Sequence, residues 1–173
     1  MLNPNLTDPL QVLHKLEREM HKAFHHQNYV HKSDHLINFC VTALSLKDYV
    51  LHFLGLSEQK DKQPYYDGWA EIECLRAASE IANSSKHCGL NKQAKTKSVE
   101  ASRSNVINVF INDNGEIKNI EENVPDYKIT LEDGAEYHIY EFTRDVIEYW
   151  KDYLSKIGIK YVEQESATFF GDS

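Results

Sequence analysis

The sequence predicts a mainly α fold of the α+β kind: a four-helix bundle-like domain with a β-meander or hairpin inserted between helices three and four. Three observations predict it. Apolar residues recur at spacings of three and four in four segments, the signature of helices with one buried face. Between residues 105 and 140 the period drops to two, with Asx-Gly turn pairs between the apolar runs. A length of 173 residues, 41% hydrophobic and 27% charged, is that of one globular domain spanning 1–173 with a core of its own.

The first helix is expected over about residues 9–27. Asp8 suits an N-cap and Pro9 a first turn. Leu13, Leu16, Met20 and Phe24 then share a face. The polar run 26–32 reads as a turn. A second helix over 34–55, capped by Ser33 or Asp34, carries a broad apolar arc from Leu36 to Leu54, and Gly55 ends it. The charged stretch 57–63, closed by Pro64, reads as a loop. A third helix is expected over 67–87, backed by Cys74, Ala77, Ala78, Ile81 and Ala82, small residues that permit close helix packing.

Residues 89–104 read as a basic Ser- and Lys-rich loop. Beyond it, Ile107, Val109 and Ile111 alternate with Val106, Asn108, Phe110 and Asn112 as a strand, and Asp113-Asn114-Gly115 is a turn signal. Further strands are expected over 116–120, 127–131 and 137–140, with a second turn at Asp133-Gly134, so that the β insertion covers about 105–140. A closing helix over 141–157 places Phe142, Val146, Tyr149, Trp150 and Tyr153 together, and the tail 163–173 reads as frayed.

Composition narrows the function classes. A net charge of −8 argues against general coating of nucleic acid, since phosphate backbones reward positive surfaces, although a local basic patch can still serve. The apolar stretch 36–56 is interrupted by Asn38, Ser45, Lys47, Asp48 and His52, so no membrane role is expected. Three cysteines, Cys40, Cys74 and Cys88, without CxxC spacing point to the reducing cytoplasm and to free thiols. No glycine-rich phosphate loop, GxGxxG or GxSxG is present, and no cofactor is implied.

One constellation carries chemistry. Arg76, Glu80, Asn83 and His87, at offsets of four, three and four, fall within an arc of roughly 60° on a helix. Lys86 adjoins them, and Lys92, Lys95, Lys97 and Arg103 follow in the basic loop. Together these residues could hold a phosphate-bearing ligand. The plainer alternative is an (i, i+4) Arg76–Glu80 pair on a solvated face. His87 is the single candidate for a catalytic acid or base, because imidazole titrates near neutrality. Six of the nine histidines lie between His14 and His35. His14, His21 and His25 share a face with spacing that suits a metal, but no third ligand type is fixed by the pattern.

The phrase Ala77 to His87 contains Asn83-Ser84-Ser85-Lys86-His87, which is similar to the Asn-x-x-Lys-His signature of bacterial helical proteins. The layout around it resembles the HEPN (higher eukaryotes and prokaryotes nucleotide-binding) bundles. That resemblance implies a helical bundle, often a homodimer, with a nucleotide, RNA or protein partner, in toxin–antitoxin or phage-defence systems. Catalytic members carry an Arg with a His four to six positions later. Here Arg76 precedes His87 by eleven, and Asn83 stands where the Arg is expected. The resemblance therefore implies a non-catalytic binding or interaction module. A metal-independent ribonuclease using His87 is the alternative, and a structural partner with an acidic docking face is a third.

Overall fold

In a computed structural model the chain is mainly helical with a small antiparallel sheet, and the structure describes residues 8–87, 100–131 and 134–163. Five helices are present among these residues rather than four. They are α1 (Pro9–His25), α2 (Tyr29–Phe53), α3 (Gln59–Ala70), α4 (Glu73–His87) and α5 (Ile139–Lys156). Strands β1 (Glu100–Ile111), β2 (Ile117–Thr130) and β3 (Glu136–His138) lie between α4 and α5 in the order β1-β2-β3.

α1 begins where the cap chemistry places it: Asp8 accepts a hydrogen bond from the Gln11 amide at 2.9 Å, and Pro9 opens the first turn. α2 starts five residues before the expected Asp34. Asn28 is the cap, its Oδ1 accepting from the Val30 amide at 2.8 Å. The polar run is therefore mostly helix, and Lys32 within it is 1% exposed.

The expected loop before Pro64 is α3, with Pro64 inside the helix. Its side chains bridge one turn apart: Gln59 Nε2 donates to Gln63 Oε1 at 3.2 Å and Gln63 Nε2 to Asp67 Oδ1 at 2.8 Å. Tertiary packing holds it, since the buried Trp69 meets Trp150 and Tyr153 of α5 at ring separations of 5.4 and 5.7 Å. The expected single helix over 67–87 is thus two helices, separated at Glu71 and Ile72.

One buried apolar cluster joins the elements. Leu13 and Leu16 come from α1, Phe39, Leu46 and Leu51 from α2, and Leu75, Ala78 and Ala82 from α4. Ile129 of β2 and Phe142, Val146 and Trp150 of α5 complete it. α1 packs on both α2 and α5, and α4 on α2, where its small residues face inward as expected.

β1 begins at Glu100, inside the stretch expected to be the basic loop, and the two strands expected at 116–120 and 127–131 are one strand, β2. A bulge accommodates the extra residue. Val106 pairs with Val124 and Asn108 with Glu121, and Asn123 takes the left-handed conformation at φ 57°. The tip turn is built by Asn112, whose Oδ1 accepts from the Asn114 and Glu116 amides at 3.0 and 2.9 Å, with Gly115 at φ 84°. Tyr29 ties the hairpin base to α2, its hydroxyl donating to the Ser104 carbonyl at 2.7 Å.

Candidate functional site

The polar stripe is only partly within the described structure. Arg76, Glu80 and Asn83 lie along one flank of α4: Arg76 and Glu80 are half-buried and Asn83 is exposed. Arg76 Nη1 donates to the Ala70 carbonyl at 3.2 Å, so its guanidinium closes the end of α3. Lys86 and His87 belong to α4, but their side chains lie outside the described residues, as do Lys92, Lys95, Lys97 and Cys88. Arg103 is not a loop residue. It sits on β1 with its guanidinium 5.1 Å from the Tyr29 ring centre, where a cation over an aromatic face is held by the ring quadrupole.

Behind the stripe, α4 meets a buried cation that the sequence did not single out. Lys47 of α2 donates to Ser79 Oγ at 2.9 Å, and that hydroxyl donates to the Leu75 carbonyl at 2.8 Å. Burial pulls the Lys47 ammonium down to about 8, against the pull of Asp48. A second buried cation lies at the sheet. Lys32 donates to the Phe24 carbonyl at 2.8 Å and stands 3.9 Å from Asp126, which also meets His138 Nδ1 at 2.9 Å. Burial lowers the pKa of Lys32 and Asp126 opposes it. This network joins α1, α2, β2 and β3.

The helix-one histidines part company. His14 Nε2 donates to the Val162 carbonyl at 2.8 Å and packs edge-on against Tyr161, while the His21 and His25 rings lie 4.2 Å apart, tilted by 43°. Burial and the neighbouring His21 lower the pKa of His25. Among the described residues no group of three or more His, Cys, Asp or Glu could hold a metal ion. Cys40 is buried and free, its thiol pushed up by burial, and Cys74 is half-buried with its thiol raised to about 11. Both are poor nucleophiles at neutral pH.

His21 and His25 instead border a groove of about 490 Å³ between α1 and α5. Its apolar lining is Met20 and Phe24 of α1, Tyr140 and Ile147 of α5, and Phe110 of β1. Phe24 and Tyr140 meet at 5.3 Å. Glu17, Arg144, Glu148 and Lys151 supply the remaining polar groups.

Phe110 shows which way the distal hairpin, residues 106–123, is turned. Its face looks into the groove, so the alternate residues Ile107, Val109 and Ile111 look outward. Val109 pairs with Ile120 and Ile111 with Ile117, which brings the β2 isoleucines to the same outer side. Exposure of these five ranges from 48% at Val109 to 64% at Ile107. The alternation in the sequence reveals a strand, but it does not reveal that the aliphatic side faces away from the body.

No helix among the described residues is long and apolar enough to cross a membrane. The chain matches no family model, no curated protein and no solved structure.

Proposed function

We propose that the protein is a non-catalytic interaction module whose working surface is the outer face of the distal hairpin and whose partner is a second copy of the chain. One observation carries this: five aliphatic residues, Ile107, Val109, Ile111, Ile117 and Ile120, stand exposed on one side of a two-stranded ribbon. At about half exposure they present roughly 450 Å² of contiguous apolar surface, the size of patch that marks interaction sites on soluble proteins.

Two such faces cover roughly 900 Å², close to the ~1,000 Å² that a specific interface needs. β1 is the edge strand of the sheet, so backbone pairing along that edge can supply the rest. The five residues carry no charge, so pairing them buries no like-charge contact. The frame supporting the ribbon is read as bundle-like: α1, α2, α4 and α5 form it, and α3 is an addition.

Sedimentation velocity across a concentration series tests the proposal, with the Ile107→Lys/Ile111→Lys variant beside the wild type. The wild type is expected to dimerise and the variant to stay monomeric with an unchanged circular dichroism spectrum. A wild type that is monomeric at every concentration overturns it.

A second reading assigns a phosphate-bearing ligand to α4, in keeping with a HEPN-like relationship. The alignment of Arg76, Glu80 and Asn83 on one flank favours it. Thermal shift with nucleotides and short RNA tests that reading, since a ligand at a hundred times its Kd adds about 2.7 kcal/mol. RNA cleavage that is lost in His87→Ala would replace binding by catalysis.

A further inference from the structure

His26 stands where two helices are tied to each other. It is the C-cap of α1, its amide donating to the Lys22 carbonyl at 3.1 Å. Its ring Nδ1 accepts from the amide of Asn28, the N-cap of α2, at 3.4 Å. An amide N–H only donates, so this ring nitrogen carries no proton and His26 is neutral, with its proton on Nε2. An imidazolium has no free lone pair, so protonating His26 removes the acceptor.

Other basic groups crowd the same ring. The His31 and His35 ring centres lie 4.7 and 5.8 Å from that of His26. His31 sits in the first turn of α2, the helix end that disfavours positive charge. Glu19 of α1 faces this corner with both oxygens engaged, Oε1 by Lys22 at 3.3 Å and Oε2 by His35 at 3.0 Å. The C-terminal end of α1 favours a proton on His26. Burial opposes it, and so do the His31, His35 and Lys32 charges, and together they hold the His26 pKa below its ordinary 6.5.

The residues after His26 carry this corner to the sheet. The Asn28 carbonyl accepts the first bond of α2, from the Lys32 amide at 2.9 Å. Tyr29, the next residue, holds the base of the hairpin. Its hydroxyl reaches the Ser104 carbonyl at 2.7 Å and Asn105 Oδ1 at 2.6 Å, and its carbonyl accepts from the Tyr127 hydroxyl at 3.2 Å. We propose that His26, crowded by His31 and His35, is a proton-operated latch. When neutral it fixes the cap of α2, and with it Tyr29 on the hairpin base; when protonated it releases that corner and loosens the hairpin from the body. The latch acts at the base of the hairpin, so it does not rest on pairing of the outer face.

The folded chain binds this proton less tightly than the unfolded one. Above about pH 6.5 His26 is neutral in both and the latch is closed; as the pH falls through the lowered folded value, the corner loses that stability. Hydrogen exchange of the full chain at about pH 7.5 and about pH 5.5, corrected for the intrinsic pH dependence of exchange, tests the latch. Protection at residues 28–32 and 103–106 is expected to fall several-fold at the lower pH, while residues 146–154 of α5 keep theirs. Unchanged protection at the corner, or an equal loss in α5, overturns the proposal.

His26→Gln offers a side-chain oxygen as acceptor without a charge that titrates. Its protection at the corner is expected to be the same at both pH values; a loss equal to that of the wild type assigns the effect to other groups and overturns the latch. An independent readout needs no variant to fold. The nuclear magnetic resonance titration of the wild-type His26 ring is expected to have its midpoint below 6.5 and to coincide with the loss of protection. A midpoint at or above 6.5 overturns the proposal. These measurements read the corner and not the outer face, so failure of the hairpin interface leaves them unchanged.

Discussion

Val109 of β1 stands directly across from Ile120 of β2, and the two are 48% and 50% exposed. A cross-strand aliphatic pair normally covers itself against a core; here the core side belongs to Phe110 and the pair faces solvent. In an isolated chain such a pair contributes at most about 1 kcal/mol to the sheet. Val109→Thr/Ile120→Thr is therefore expected to lower the unfolding free energy by less than about 1 kcal/mol. The same variant should weaken self-association at least tenfold by sedimentation. A large loss of stability with unchanged association would show the face to be structural.

The buried network around Lys32 should be far more sensitive. Lys32 is 1% exposed and Asp126 5%, with the ammonium 3.9 Å from the carboxylate. Removing one member of a buried pair leaves the other uncompensated, at a cost of about 3–5 kcal/mol. Asp126→Asn is expected to destabilise the fold by that order in urea, and by more than Lys32→Met, after which the buried Asp126 still keeps its contact with His138 at 2.9 Å. Equal effects would mean that Lys32 relies on the Phe24 carbonyl rather than on Asp126.

How much of this was legible follows from where each signal resides. α1 and α5 were readable because their caps and apolar faces are local: Asp8 and Pro9 at one start, Gly158 at one stop. The start of α2 was hidden because Asn28 caps a helix whose first turns are polar, and nothing local shows that Lys32 is buried. α3 was hidden by Pro64 and its charges, since its anchor is the contact of Trp69 with α5, distant in sequence. For the candidate site, the helical offsets put Arg76, Glu80 and Asn83 on one flank of α4, but nothing local reveals that Arg76 bonds the Ala70 carbonyl. The groove is assembled from α1, α5 and β1, so only the fold could reveal it.

The tip of the hairpin depends on one side chain. Asn112 accepts from two amides through Oδ1 and donates to Glu116 Oε2 at 3.0 Å. Asn112→Ala deletes all three bonds without touching the buried cluster. Faster amide exchange is expected at residues 113–117, with the thermal midpoint held within a few degrees. A fall in the midpoint comparable to a core substitution would show that the tip governs folding of the body.

Lys47 offers a test in which the sign is fixed by burial. Its folded pKa is lowered to about 8 from the ordinary 10.5, so the unfolded chain binds the proton more tightly. Below about pH 8 both states carry the charge, and the folded state bears the full penalty of burying it, about 3 kcal/mol. As pH rises from 8 to 10 the folded state releases its proton first and the penalty fades, so stability contributed by this group rises by about 2 kcal/mol. Lys47→Met lacks the titration and should show no such rise. The measurement is urea denaturation of both proteins at pH 8, 9 and 10, comparing their difference, which cancels the titrations common to both. A difference that stays constant over this range would mean that Lys47 keeps its ordinary pKa and that its bond to Ser79 sits in a wetter site than its burial indicates.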